Sequence, residues 1–103
     1  MSYKLRFVQT FSQEYAREYL AIEKQFEDFE KQKPDAPVGK RYIPCCGRDP
    51  SNTLIWECEF STLEEAQKAQ AFFLTDSTHE DLFQTQVKYI TGTYTEIYRP
   101  YDS

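Results

Sequence analysis

Gly47-Arg48-Asp49-Pro50-Ser51-Asn52-Thr53-Leu54-Ile55-Trp56-Glu57-Cys58-Glu59-Phe60-Ser61-Thr62-Leu63 is the stretch that decides the fold. Its first six residues crowd together the types that turn a chain: glycine, aspartate, proline, serine and asparagine. The next eight alternate. Leu54, Trp56, Cys58 and Phe60 share one face of an extended segment, and Ile55, Glu57 and Glu59 share the other. Ser61-Thr62-Leu63-Glu64 then has the spacing of a capping box, so a helix starts there. A strand over 53–60 thus has a hairpin tip before it and a helix after it.

Working outward, residues 40–47 read as the partner strand of the hairpin, with Pro44 at an edge or bulge because it has no N–H for the ladder. Lys33-Pro34-Asp35-Ala36-Pro37-Val38-Gly39 is a loop. Before it, Tyr15, Tyr19, Ile22, Phe26 and Phe29 step by four and three, predicting a helix from a Ser12 cap to about residue 31, with Glu23 and most other charges off the aromatic stripe. Tyr3, Leu5, Phe7 and Phe11 alternate with Lys4, Arg6, Val8 and Thr10, which predicts a first strand. Downstream, Leu63, Ala66, Ala69 and Phe73 form a small-residue apolar side. Ser77-Thr78-His79-Glu80 is a second capping box opening a short helix through Leu82, Phe83, Val87 and Ile90, and Gly92 releases a last strand over 93–99. The order is strand–helix–strand–strand–helix–strand, the split βαβ plan of a ferredoxin-like α+β fold, in one domain over 1–103.

Eight Tyr, eight Phe and one Trp make the chain 17% aromatic, a heavy load for one small core. The plan leaves one sheet face without helices, so this load predicts that a second copy of the chain closes that face. A net charge of −5 without a Lys or Arg run argues against nucleic-acid binding. The most basic stretch, Lys31 to Arg41, is broken by two prolines and reads as a solvated loop. Three cysteines do not build a disulfide framework, since adjacent Cys45 and Cys46 would point to opposite faces of a strand, and without CxxC spacing no metal site is indicated. Neither a signal-like apolar run nor about eighteen consecutive apolar residues is present, so the expectation is a cytoplasmic protein that does not engage a membrane.

With these elements in place, the chain resembles the dimeric α/β-barrel superfamily, through its β-α-β-β-α-β order and through the hairpin and strand end of residues 47–63, which close on Glu-Phe-Ser-x-Leu. It looks closest to NIPSNAP-like and antibiotic-biosynthesis-monooxygenase-like proteins. The resemblance implies strand order 4-1-3-2, antiparallel apart from a central parallel pair, with helices on one face. It also implies a homodimer packed through the open faces, with a cavity beside each sheet. Three functions are compatible with it: binding of a small hydrophobic or aromatic molecule, cofactor-independent oxygenation of an aromatic substrate, or a structural dimer without a cavity. Some members degrade haem, but their Asn, His and Trp group has no matching Asn here, so no cofactor is expected, and no oxygenase active-site set transfers residue by residue.

The candidate chemistry is sparse. His79, the single histidine, lies in a helix first turn and is a candidate base, a haem ligand as in some members of the resembled superfamily, or simply a neighbour of the cap. Glu57, with Glu59 on the same strand face, is a second catalytic candidate, or part of a cross-strand charge ladder with Lys4 and Arg6. Trp56, Tyr94, Tyr98 and Arg6 are the ligand-contact candidates, the aromatic ones otherwise serving the core or a dimer interface. Arg48 and Asp49 at the hairpin tip fit either an anion contact or plain turn geometry.

Overall fold

Strand β1 (Tyr3–Phe11) lies at the centre of the sheet in a computed structural model that describes residues 2–102. A 3-10 turn at Gln13–Tyr15 leads into helix α1 (Ala16–Gln32), and strands β2 (Lys40–Tyr42) and β3 (Thr53–Phe60) follow. Helices α2 (Leu63–Thr75) and α3 (Ser77–Gln86), a second 3-10 turn at Val87–Tyr89 and strand β4 (Ile90–Tyr98) complete the chain. The sheet order is β2-β3-β1-β4, which from the other edge reads 4-1-3-2. The three helices lie on one face of this ferredoxin-like α+β sheet.

Every strand pair is antiparallel, which corrects the expected central parallel pair. α1 returns the chain so that β2 runs in the direction of β1. The hairpin then reverses it, and β3, not β2, becomes the neighbour of β1.

Helix starts are shifted from the expected capping boxes. Thr62 caps α2, its Oγ1 accepting from the Glu65 N–H at 3.1 Å. Asp76 caps α3, accepting from the His79 N–H at 3.1 Å. Ser12 makes no side-chain cap. β2 is also shorter than the expected 40–47. Pro44 cannot donate to a ladder, so the chain leaves the sheet after Tyr42. Residues 43–52 then fold back over the outer, helix-free face, where Asp49 accepts from the Tyr94 hydroxyl at 2.8 Å and Arg48 lies over the Tyr94 ring. Cys45 and Cys46 are free and exposed on this excursion, so strand alternation does not govern them. β4 begins at Ile90, beside an irregularity in β1 at Thr10/Phe11, and Gly92 lies within it.

The core fills the layer between sheet and helices. Leu5, Trp56, Ala69 and Phe73 form one buried cluster, with Phe7, Phe60 and Phe72 against it. Phe11, Tyr19 and Leu54 form a second, in which Phe11 and Tyr19 stack at 4.3 Å. The small side chains of Ala66 and Ala69 let α2 pack closely on β1 and β3. So many rings lie in this layer that the aromatic load does not by itself require a second copy of the chain.

Two departures on the helix side prove important. α1 buries Tyr19, Glu23, Phe26 and Glu30, while Tyr15 is exposed, so two glutamates occupy positions on the inward stripe. Arg41 lies in the hairpin strand, as expected for residues 40–47, but is not solvated as its basic stretch suggested: only 14% of its side chain is exposed.

On the outer face the pairing sets up two transverse rows. Tyr42, Ile55, Val8 and Tyr94 form an apolar row, with Val8 buried at its centre. Lys40, Glu57, Arg6 and Glu96 form a row of alternating charge.

Candidate functional site

A cavity of about 240 Å³ opens between the inner sheet face and the three helices. Its walls are aromatic: Phe7 and Trp56 from the sheet, Phe26 from α1, Phe73 from α2 and Phe83 from α3. Thr93 and Thr95 extend it along β4, and Gln70, Leu74, His79 and Glu80 come from the helices.

Trp56 stacks on Phe7 at 5.2 Å and meets Phe73 edge-on at 5.3 Å. Its indole is packed against Gly39, where a methyl group would lie well inside 3.0 Å of the ring, so only glycine leaves room for it. A buried indole N–H needs a partner, and that of Trp56 donates to Glu30 Oε1 at 3.0 Å.

That bond belongs to a buried ionic cluster. Because β2 pairs Arg41 with Trp56, the Arg41 side chain turns to the helix side. Its Nε donates to Glu23 Oε2 at 2.7 Å, and its two terminal nitrogens donate to Glu30 at 3.2 and 2.6 Å. Gln86 Nε2 donates to the remaining Glu23 oxygen at 2.9 Å. Burial disfavours the guanidinium charge, but the bonds to Glu30 and Glu23 outweigh it and hold the Arg41 pKa above its ordinary value. 

Two carboxylates and one guanidinium leave the cluster one formal negative charge in excess.

His79 completes the cavity's polar side. Its ring lies 4.8 Å from Phe26 and 5.0 Å from Phe73, and its Nδ1 is shut off from solvent without a hydrogen bond of standard geometry. Burial holds its pKa below 6.5, against the opposing pull of Asp76, Glu23, Glu80 and the Phe73 carbonyl. The ring is therefore neutral at neutral pH.

The six residues singled out from the sequence do not form one site. His79 and Trp56 line the cavity. Glu57, Arg6, Tyr94 and Tyr98 lie on the outer face, so the sheet itself separates His79 from Glu57. Arg6, Tyr94 and Tyr98 border a second hollow of about 370 Å³ beneath the 43–52 excursion. There Arg6 donates to Glu57 at 2.8 Å, to Tyr98 at 3.1 Å and to Glu96. Burial works against the Arg6 charge, but these partners raise its pKa overall. Lys4 lies 3.5 Å from Glu57, giving it the cross-strand charge ladder, while Glu59 is exposed. Among the described residues, no group of three or more His, Cys, Asp or Glu side chains could hold a metal ion, and no helix is long and apolar enough to cross a membrane.

Sequence reading missed Glu23, Glu30, Arg41 and Gln86. The signal was present in α1, where Tyr19, Glu23, Phe26 and Glu30 recur at four, three and four residues, the period of an inward stripe.

No protein-family model and no curated protein matches the chain. Solved structures do. A NIPSNAP family protein from Agrobacterium tumefaciens strain C58 superposes with a TM-score of 0.74 at 14% identity, over 99% of this chain and 95% of that one. A second, of unknown function and from the same organism, gives 0.73 at 16% identity, over 96% and 87%. An antibiotic biosynthesis monooxygenase gives 0.73 at 10% identity, over 95% and 97%. At these identities the likeness concerns architecture, and this chain has the ferredoxin-like fold shared by NIPSNAP and antibiotic-biosynthesis-monooxygenase-like proteins.

Proposed function

We propose that the protein binds a compact, largely aromatic or hydrophobic molecule in the cavity between sheet and helices. The observation that carries this reading is the aromatic-walled cavity itself, with Trp56 held by Glu30 and with the neutral His79 ring on its lining. Ligand sites are typically apolar hollows with a few fixed polar groups, and those for drug-sized molecules span roughly 300–1,000 Å³. A volume of about 240 Å³ suits something smaller, on the scale of one substituted ring.

Trp56 is the single tryptophan, so its emission reports on this cavity alone. Titration with small arenes should shift or quench that emission, and native mass spectrometry should show the added mass. An unchanged emission spectrum at millimolar arene would refute the reading.

A second reading follows from His79. A neutral imidazole beside an apolar cavity suits a base that takes a proton from an acidic C–H, leaving a substrate carbanion to combine directly with molecular oxygen. His79→Ala should then abolish oxygen consumption while leaving arene binding in place; turnover unaffected by that change would remove His79 as the base. The protein's association with a second copy is part of the same proposal. Tyr42, Ile43 and Tyr98, each about half exposed, give the outer face an apolar surface for it. The dimer predicts a doubled mass in the native spectrum, and a monomer at micromolar concentration would count against it. Three free thiols suit a reducing compartment such as the cytoplasm.

A further inference from the structure

We infer that the ligand of the helix–sheet cavity is a compact organic cation, an arylalkyl amine or quaternary ammonium in class, in preference to a neutral arene or an organic anion. The inference rests on the cavity being a binding site and adds the charge of what it takes.

Three carboxylates, Glu23, Glu30 and Glu80, contribute to the lining against one guanidinium, Arg41. Arg41 is fully engaged. Its Nε meets Glu23 at 2.7 Å and its terminal nitrogens meet Glu30 at 3.2 and 2.6 Å. An incoming anion would therefore have to displace a carboxylate from Arg41, and would do so in a partly desolvated site where unpaired charge is costly. Lys and the other Arg side chains contribute nothing to the lining.

A cation meets the opposite conditions. Glu80 stands on the cavity lining and makes no ion pair among the described residues; its carboxylate accepts from Gln84 of the same helix at 2.7 Å. Phe26, Phe73 and Trp56 line the cavity, and the quadrupole of such rings attracts an ammonium group most strongly where water is excluded. The His79 imidazole, kept neutral by burial, lies on the lining and adds no repelling charge. At longer range, the chain's net charge of −5 draws cations toward it.

The experiment uses three molecules of one shape and different charge: 2-phenylethylamine, 2-phenylethanol and phenylacetate. Each is titrated at pH 7.5 into the protein with Trp56 emission as the readout, at low and high salt. The amine should bind about tenfold more tightly than the alcohol, and phenylacetate should bind weakest. Glu80→Gln should cut the amine's advantage by about threefold without moving the alcohol, and added salt should do the same. Glu80 is exposed, so this change leaves the fold intact. Alcohol or phenylacetate binding as tightly as the amine would overturn the charge preference and leave the cavity as a binding site. Trp56 emission indifferent to all three would overturn the site and the charge preference together.

Discussion

Arg41→Met removes the one cation from a cluster that holds two carboxylates in the helix–sheet layer. The side chains involved are little exposed: 14% for Arg41, 11% for Glu23 and 4% for Glu30. Breaking a buried pair by deleting one partner costs about 3–5 kcal/mol, chiefly because the surviving charge stays behind without compensation. The adjoining cavity admits water to part of the cluster, so the lower end applies, about 3 kcal/mol. That is a large share of the roughly 5–15 kcal/mol that stabilises a domain of this size, and it corresponds to a Tm lower by about 12–24 °C. Methionine keeps much of the volume of the arginine stem, so lost packing contributes little. Urea unfolding at pH 7, followed through Trp56 emission, measures the change and at the same time monitors the indole bonded to Glu30. Combining Arg41→Met with Glu23→Gln and Glu30→Gln should recover more than half of the loss, because neutral amides keep hydrogen-bonding capacity without the stranded charge. A single variant within about 1 kcal/mol of the parent, the range of an exposed ion pair, would refute the buried-cluster reasoning.

Other perturbations test separate parts of the structure. Gly39→Ala should destabilise by about 1–3 kcal/mol and shift Trp56 emission, since the added methyl overlaps the indole; unchanged emission would show that the two are not packed together. Because burial holds the folded-state pKa of His79 below 6.5, the unfolded chain takes up that proton first as pH falls. Its stabilising contribution is intact above about pH 6.5 and is lost as pH drops toward the folded-state pKa, so His79→Gln should flatten this acid limb relative to the parent. Parallel stability curves for the two proteins would contradict that assignment. Tyr94→Phe removes the hydroxyl that donates to Asp49, at a cost of about 0.5–1.5 kcal/mol, and should speed tryptic cleavage after Arg48 by loosening the 43–52 excursion. Equal cleavage rates would mean that the bond does not hold the excursion to the sheet.

The elements that could be read in the sequence were those whose apolar pattern is local. β3 has the bounds its alternation predicts, and that alternation also separates Trp56 from Glu57 correctly. It could not say which face would carry the helices, so nothing in it separates His79 and Trp56 from Glu57, Arg6, Tyr94 and Tyr98, which the sheet divides. The ionic cluster was hidden for a different reason. A search for apolar periodicity passes over Glu23 and Glu30, and their inward position makes sense only with Arg41, which an edge strand delivers after a loop. The position of His79 in a helix first turn was legible. Its aromatic surroundings were not, because Phe26 and Phe73 come from two other helices.

The row of Lys40, Glu57, Arg6 and Glu96 on the outer face also bears on how the strands find their partners. Alternation of inward and outward side chains rejects a slip of one residue, which would turn the core outward, but is blind to a slip of two. Here a two-residue slip of β3 against β1 sets either Val8 opposite Glu57 or Ile55 opposite Arg6, placing a charge against an apolar side chain in both directions. The same slip of β4 sets Val8 opposite Glu96 or Arg6 opposite Tyr94. The charges of this row thus act as an alignment key, penalising the misregistered pairings that the hydrophobic pattern alone would accept.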